Sequence, residues 1–118
     1  MQLAFVIPAY NEQALIGKCV ESVLAEVKRS GRTDIDVVVV NNNSTDDTAK
    51  VAGAYAGVRV IDEKQKGLVS ARDGGFQATT AELVANIDGD TIVPPGWLDT
   101  VFAEFERDPG LVCLSGPY

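Results

Sequence analysis

Short apolar runs alternate along the chain with stretches whose apolar residues recur at helical spacing. Residues 3–7 form a continuous apolar run ended by Pro8, the pattern of a strand buried on both faces. Leu15, Cys19, Val20, Val23, Leu24 and Val27 then fall on one helix face, and that helix ends near Ser30-Gly31. Asn11 is suited to cap it, and Glu12 suits the dipole of its first turn. Residues 35–40 are almost wholly β-branched and read as a second strand. A polar stretch, Asn41-Asn42-Asn43-Ser44-Thr45, leads into a helix over residues 46–55, with Ser44 or Thr45 as its cap. Asparagine also tolerates the left-handed backbone such a loop needs. Residues 58–61 predict a third strand, 68–79 a helix, 83–87 a fourth strand and 111–114 a last one. Gly74 and Gly75 interrupt the third helix at a cost of about 1 kcal/mol each relative to alanine. Their use is a close approach of helix to sheet, or a local break. Pro94-Pro95-Gly96 opens another helix, with Trp97, Leu98, Val101, Phe102 and Phe105 facing inward.

This alternation predicts an α/β fold: a mostly parallel sheet with helices on both faces. The first, second and fourth strands then bring Pro8-Ala9-Tyr10, Asn41-Asn42-Asn43 and Asp88-Gly89-Asp90 to one carboxyl edge. That edge is where open α/β sheets bind ligands.

Composition narrows the chemistry. The 118 residues, 46% of them hydrophobic, suit a single domain. A net charge of −7 with no basic face argues against nucleic acid as a partner. The absence of histidine removes His-based catalysis and most zinc sites. Cys19 and Cys113 lie far apart among apolar neighbours and read as buried free thiols, which fits a reducing cytoplasm. No apolar run reaches membrane-spanning length, and the chain opens directly into a strand, so neither a transmembrane segment nor a leader is expected.

Asp88-Gly89-Asp90 is the most pointed feature. Two hard oxygen ligands one residue apart at a strand end suit Mg²⁺ or Mn²⁺ better than zinc. The same three residues also make an ordinary turn. Likewise Tyr10 fits plain packing, Asn41 to Asn43 fit turn chemistry, Arg72 fits a solvated helix face and Lys66 a solvated loop. Trp97 and Phe102 read as core rather than as an acceptor platform, and Glu104, Glu106 and Asp108 as a solvated face. The dinucleotide fingerprint, the P-loop and the nucleophile elbow are all absent.

Four linked segments closely resemble glycosyltransferase family 2, in order and in spacing. They are Val6-Ile7-Pro8-Ala9-Tyr10-Asn11-Glu12, then Val39-Val40-Asn41-Asn42-Asn43-Ser44-Thr45-Asp46-Asp47-Thr48, then Lys66-Gly67 with Ala71-Arg72, then Ile87-Asp88-Gly89-Asp90. The resemblance implies a GT-A fold, a nucleotide-diphosphate sugar donor (UDP-, GDP- or dTDP-linked), Mn²⁺ or Mg²⁺, and inversion at the anomeric carbon. By position, Pro8, Ala9 and Tyr10 would line the nucleoside pocket with Glu12 beside it. Asn41 and Asn42 stand where the family often has Asp-Asp or Asp-Asn, with Asn42 facing the base. Lys66 and Arg72 would lie near the diphosphate, Asp88 near the ribose or sugar, and Asp90 on the metal, with Asp88 beside it. Physics points the same way: a divalent cation turns the repulsion between two carboxylates and a diphosphate into attraction.

Two departures stand out. The asparagines bring no charge to the base, and Asp73 follows Arg72 where asparagine is commoner. The family's catalytic domain also continues further, so the acceptor site and the general base are expected beyond Tyr118, and the chain reads as the donor-binding half. Apolar surface near residues 111–118 would then favour self-association, and the family's habit suggests peripheral association with the inner membrane face. Rival readings are an Asp-x-Asp phosphatase or phosphotransferase of the haloacid dehalogenase type, a receiver-type domain, and a nucleotide-sugar-binding module without turnover. The first normally carries its motif on the first strand, and Ile92 stands where it has Thr or Val. The second needs an acidic pair where this chain has Pro8-Ala9-Tyr10.

Overall fold

The computed structural model describes residues 2–107, and for Leu68, Val69 and Arg72 the backbone alone. The elements run β1 (Leu3–Ala9), α1 (Ile16–Ser30), β2 (Ile35–Asn41), α2 (Thr48–Gly53), β3 (Arg59–Asp62), α3 (Leu68–Gln77), β4 (Leu83–Asn86) and α4 (Trp97–Arg107). The predicted strand over residues 111–114, Cys113 and Asp108 lie outside the described residues.

The four strands form one all-parallel sheet in the order β3-β2-β1-β4. Leu3 is in register with both Ile35 and Leu83, and Val6 with both Val38 and Asn86. The chain steps outward from β1 through β2 to β3, then returns to the other side of β1 for β4. That reversal opens a crevice at the carboxyl ends of β1 and β4.

β1 is buried along its whole length and runs through Pro8 to Ala9, two residues past the predicted end. Its backbone explains why proline is tolerated in the centre of a sheet. Ala9 accepts a hydrogen bond from Asn42 N–H on the β2 side (2.9 Å), and Val6 from Ile87 N–H on the β4 side (3.1 Å). By alternation Pro8 faces β4, whose pairing ends at Asn86, so the missing N–H leaves no ladder bond unmade.

The pleat sorts the core. Leu3, Phe5, Ile7 and Ala9 pack with Val37 and Val39 under α1 and α4, through Ile16, Cys19, Val20, Val23, Leu98 and Phe102. Val6, Val38 and Val40 pack on the other face under Ala71 of α3. Helices therefore cover both faces, as predicted. A Cβ on Gly75 would overlap Val6 Cγ1 and sit 3.3 Å from Val40 Cγ2, so Gly75 serves the close approach of α3 to the sheet. The helix is not broken there.

On α4, Leu98, Val101 and Phe102 are buried. Trp97 stacks at a tilt on Phe5, centroids 5.3 Å apart, and the Arg32 guanidinium sits 3.6 Å above the Phe102 ring. Both aromatics belong to the core. Glu104 pairs with Arg107 within the last turns of the helix. Among the described residues no helix is long and apolar enough to cross a membrane.

The predicted helix starts are corrected. Asn11 does not cap α1. It sits in the left-handed region (φ 50°), and the helix begins at Ile16 with no side-chain cap. α2 begins at Thr48, and neither Ser44 nor Thr45 caps it. At the other end of α1 Gly31 takes φ 71°, as its place after Ser30 suggested.

Candidate functional site

A cavity of about 320 Å³ opens at the carboxyl ends of β1 and β4. It is lined by Pro8, Ala9 and Tyr10 from the end of β1, Glu12 from the next loop, Asn42 after β2, and Asp88, Gly89 and Asp90 after β4. Ala71 of α3, part of the third matching segment but not among the expected donor-site residues, completes the wall. Two expected members stand apart. Asn41 donates from Nδ2 to Asp62 Oδ1 (3.0 Å) and accepts from Ser44 N–H (3.2 Å), so its amide is spent at the sheet end. Lys66 does not line the wall, but its Nζ lies 5.6 Å from the ring centroid of Tyr10, a cation–π contact beside the cavity. The side chain of Arg72 lies outside the described residues.

The loop after β1 is tied to the loop after β2. Asn11 N–H donates to Ser44 Oγ (3.0 Å), and Asn11 Oδ1 accepts from Thr45 N–H (2.8 Å). Glu12 N–H donates to the buried Thr48 Oγ1 (2.9 Å), and Thr48 N–H donates to Asp46 Oδ1 (3.0 Å). This explains why Asn11, Ser44 and Thr45 do not cap helices: their polar atoms hold two loops together across the top of the sheet. Hydrogen bonds, first from the Thr48 hydroxyl, hold the Asp46 carboxyl below its usual range. Glu12 is pushed up by burial first, then by the negative charges of Asp90, Asp88 and Asp46.

Asn42 is buried, with 6% of its surface exposed. Its Nδ2 donates to the carbonyls of Glu63 (3.0 Å) and Gln65 (2.9 Å), and its Oδ1 accepts from Gly67 N–H (3.0 Å). These partners fix which way the amide points, because a carbonyl cannot donate and an N–H cannot accept.

Asp88 to Thr91 make a turn closed by Thr91 N–H to the Asp88 carbonyl (3.0 Å). A Cβ on Gly89 would lie 3.2 Å from Cγ of the Glu12 side chain and in ordinary contact with Ile16 Cδ1 (3.5 Å) and Ala9 Cβ (3.6 Å), so the turn packs closely on β1 and α1. One stripe of α1 pins the turn and the segment after it. Cys19 Sγ donates to the Asp88 carbonyl (3.5 Å), and burial pushes that thiol up to about 11. Ser22 Oγ accepts from Val93 N–H (2.9 Å), and the buried Glu26 accepts from Gly96 N–H (3.1 Å) and Leu98 N–H (2.7 Å). The Asp88 and Asp90 side chains are exposed at the cavity, and no hydrogen bond or ion pair engages them among the described residues.

Among the described residues no three acidic, cysteine or histidine side chains gather into a complete cation cage. Two free carboxylates nevertheless fit Mg²⁺ or Mn²⁺, which are commonly held by one or two carboxylates while substrate phosphates and water supply the remaining oxygens. A second cavity, of about 340 Å³, lies at the amino ends of the strands around Asp34, Asp36 and Arg59. Arg59 bonds Asp36 and the Ala78 carbonyl there, joining β2, β3 and the end of α3.

A family model described as Glycosyl transferase family 2 matches residues 4–118. The chain is 32% identical over 116 residues to chondroitin synthase of Escherichia coli, covering 95% of this chain and 16% of that protein. It superposes on S. aureus TarS 1-349 with a TM-score of 0.79 at 21% identity, covering 91% of this chain and 33% of that one. It also superposes on M. tuberculosis glucosyl-3-phosphoglycerate synthase in complex with Mn²⁺, uridine diphosphate and glucosyl-3-phosphoglycerate. There the TM-score is 0.73 at 26% identity, covering 91% of this chain and 40% of that one. The chain thus spans well under two thirds of each of these proteins. The TarS likeness bears out the α/β, parallel-sheet expectation.

Proposed function

Because the chain belongs to glycosyl transferase family 2, we propose that its cavity binds the nucleoside diphosphate of a sugar donor, for inverting transfer of the sugar to an acceptor. The observation that carries this reading is the meeting of Pro8-Ala9-Tyr10, Asn42 and Asp88-Gly89-Asp90 around one cavity at the switch point of a parallel sheet. A solved relative that holds Mn²⁺ and uridine diphosphate supports a metal and a uridine nucleotide.

Asp88 and Asp90 would hold the cation. When bound, it supplies charge neutralisation of the diphosphate as the glycosidic bond breaks. The chain's own residues do the rest. Pro8, Ala9 and Tyr10 would shape a wall for the nucleoside; Lys66, beside the Tyr10 ring, and Arg72, by its place in the family motif, would supply positive charge to the phosphates. Glu12 and Asp88 are acceptors for sugar or ribose hydroxyls. An inverting transfer needs a base to take the proton of the attacking hydroxyl. Glu12, Asp88 and Asp90, the acids lining the cavity, are already assigned to the cation and the donor. We therefore assign the base and the acceptor site to residues other than those described, and the chain to donor binding.

Thermal shift with UDP, GDP, dTDP and CDP, each with Mn²⁺ and with EDTA, tests this. Ligand at about a hundred times its dissociation constant adds roughly 2.7 kcal/mol, on the order of 10 °C for a domain of this size. The expected result is a Mn²⁺-dependent shift with one nucleotide, abolished in Asp90→Ala. No shift with any nucleotide would overturn the reading.

A further inference from the structure

We propose that Asn42 is a positioning residue: its amide fastens residues 63–67 beside the cavity, sets the Lys66 ammonium over Tyr10, and serves nucleotide binding through Lys66 rather than by reading the base. The inference rests on the donor-site reading above.

An asparagine side chain has two N–H donors and one acceptor oxygen. In Asn42 both donors are spent on the carbonyls of Glu63 and Gln65, and the oxygen takes the N–H of Gly67. Both donors are therefore engaged within the protein, and a base N–H has only the second lone pair of Oδ1 to use, a contact that the ranking of bases in the test below reads out. The requirement is for an amide. An aspartate could still accept from Gly67, but its second oxygen would face two carbonyls with nothing to donate. The three bonds bracket Lys66 from both sides, at Gln65 O and Gly67 N. Gly67 turns the chain into α3 at φ 126°, a conformation that glycine adopts most readily. Lys66 is thus held at its backbone by Asn42 and at its tip by the Tyr10 ring. A lysine held this way has less freedom left to lose when it meets a phosphate.

The test has two parts. In the ligand-free protein the Gly67 amide should be protected from hydrogen exchange, and Asn42→Ala should remove that protection. Dissociation constants for UDP with Mn²⁺ are then measured for the wild type, Asn42→Ala, Lys66→Met and the double variant. Release of the loop to about a tenth occupancy of its bound arrangement raises the constant about tenfold. Each single variant should show such a rise. The double variant should be little worse than either, and the order of preference among UDP, GDP, dTDP and CDP should not change. Additive losses, or a changed order of bases in Asn42→Ala, would overturn the proposal, as would an unprotected Gly67 amide in the wild type. That last result needs no variant to fold and leaves the donor-site reading standing. Failure of the wild type to bind any nucleotide would instead overturn the donor-site reading, and with it the binding role given to Asn42.

Discussion

Gly74 and Gly75 are neighbours in one helix, yet they answer to different surroundings. A Cβ on Gly75 points at Val6 and Val40, the two valines that form the floor under α3. Those side chains are buried and have nowhere to go. Gly75→Ala therefore combines a gain of about 1 kcal/mol in helix propensity with an overpacking penalty of about 1–3 kcal/mol. A net loss of stability is expected in urea unfolding. The atoms nearest a Cβ on Gly74 belong to Glu63, whose Oε2 lies 3.1 Å away at the end of a movable side chain. Gly74→Ala should be neutral or stabilising by up to about 1 kcal/mol. Equal effects of the two substitutions would contradict this reading of α3. Helical spacing already put Gly75, with Leu68, Ala71 and Ala78, on one face of this helix and left Gly74 off it; what the spacing left open was whether the pair served a close approach or a break, because that depends on how near the sheet lies. The same limit hid the work of Asn42. Its residue type was legible, but its partners are backbone groups 21 to 25 residues away, and backbone groups leave no mark in a sequence.

At the level of elements, α1 is the strut that holds the segment after β4. Cys19, Ser22 and Glu26 recur at helical spacing and bond Asp88, Val93, Gly96 and Leu98 in turn. The apolar face of α1 was legible in its spacing, but nothing in the sequence singled out Glu26, which is 2% exposed. Strands and their order of function were legible because burial on both faces writes continuous apolar runs. Helix starts were not, because Asn, Ser and Thr offer the same local chemistry to a cap and to a partner across a loop. Burial alone would raise the Glu26 carboxyl, but hydrogen bonds from Arg29, Leu98 N–H and Gly96 N–H outweigh it and hold the group below its ordinary value. A carboxyl whose folded pKa is depressed stabilises fully above its unfolded pKa, and that contribution is lost as pH falls through the folded value. Wild-type stability should therefore drop as pH falls below about 4.5. Glu26→Ala strands two N–H groups, one of them on the buried Leu98. It should cost roughly 2–4 kcal/mol at neutral pH and show a shallower loss on acidification. Chemical unfolding of both proteins across pH 3–7 checks both statements, and parallel pH profiles would refute the role given to Glu26.

Taken as a whole, the molecule separates its two ends. At the amino ends of the strands the charges are paired, with Arg59 between Asp36 and the Ala78 carbonyl. The carboxyl ends carry carboxylates with no cation among the described residues against them: Asp88 and Asp90 face the cavity beside Glu12, which burial and its acidic neighbours push up. In a chain of net charge −7 such a cluster opposes folding and is tolerated where binding requires it. Substitutions at the two ends should therefore have opposite signatures. Arg59→Ala removes a partly exposed pair and a carbonyl partner, so it should lower stability by about 1 kcal/mol and leave the metal-dependent response to nucleotide unchanged. Asp90→Asn removes one of the mutually repelling charges. It should raise the Tm of the ligand-free protein while weakening the response to Mn²⁺ and nucleotide together. Manganese alone should raise the Tm of the wild type more than that of Asp90→Asn, because the cation relieves in one what the substitution relieves in the other. A thermal series on the three proteins, with and without Mn²⁺, decides the matter. A lower ligand-free Tm for Asp90→Asn would mean that Asp90 holds the turn rather than a cation, and the ordinary-turn reading of Asp88-Gly89-Asp90 would stand in its place.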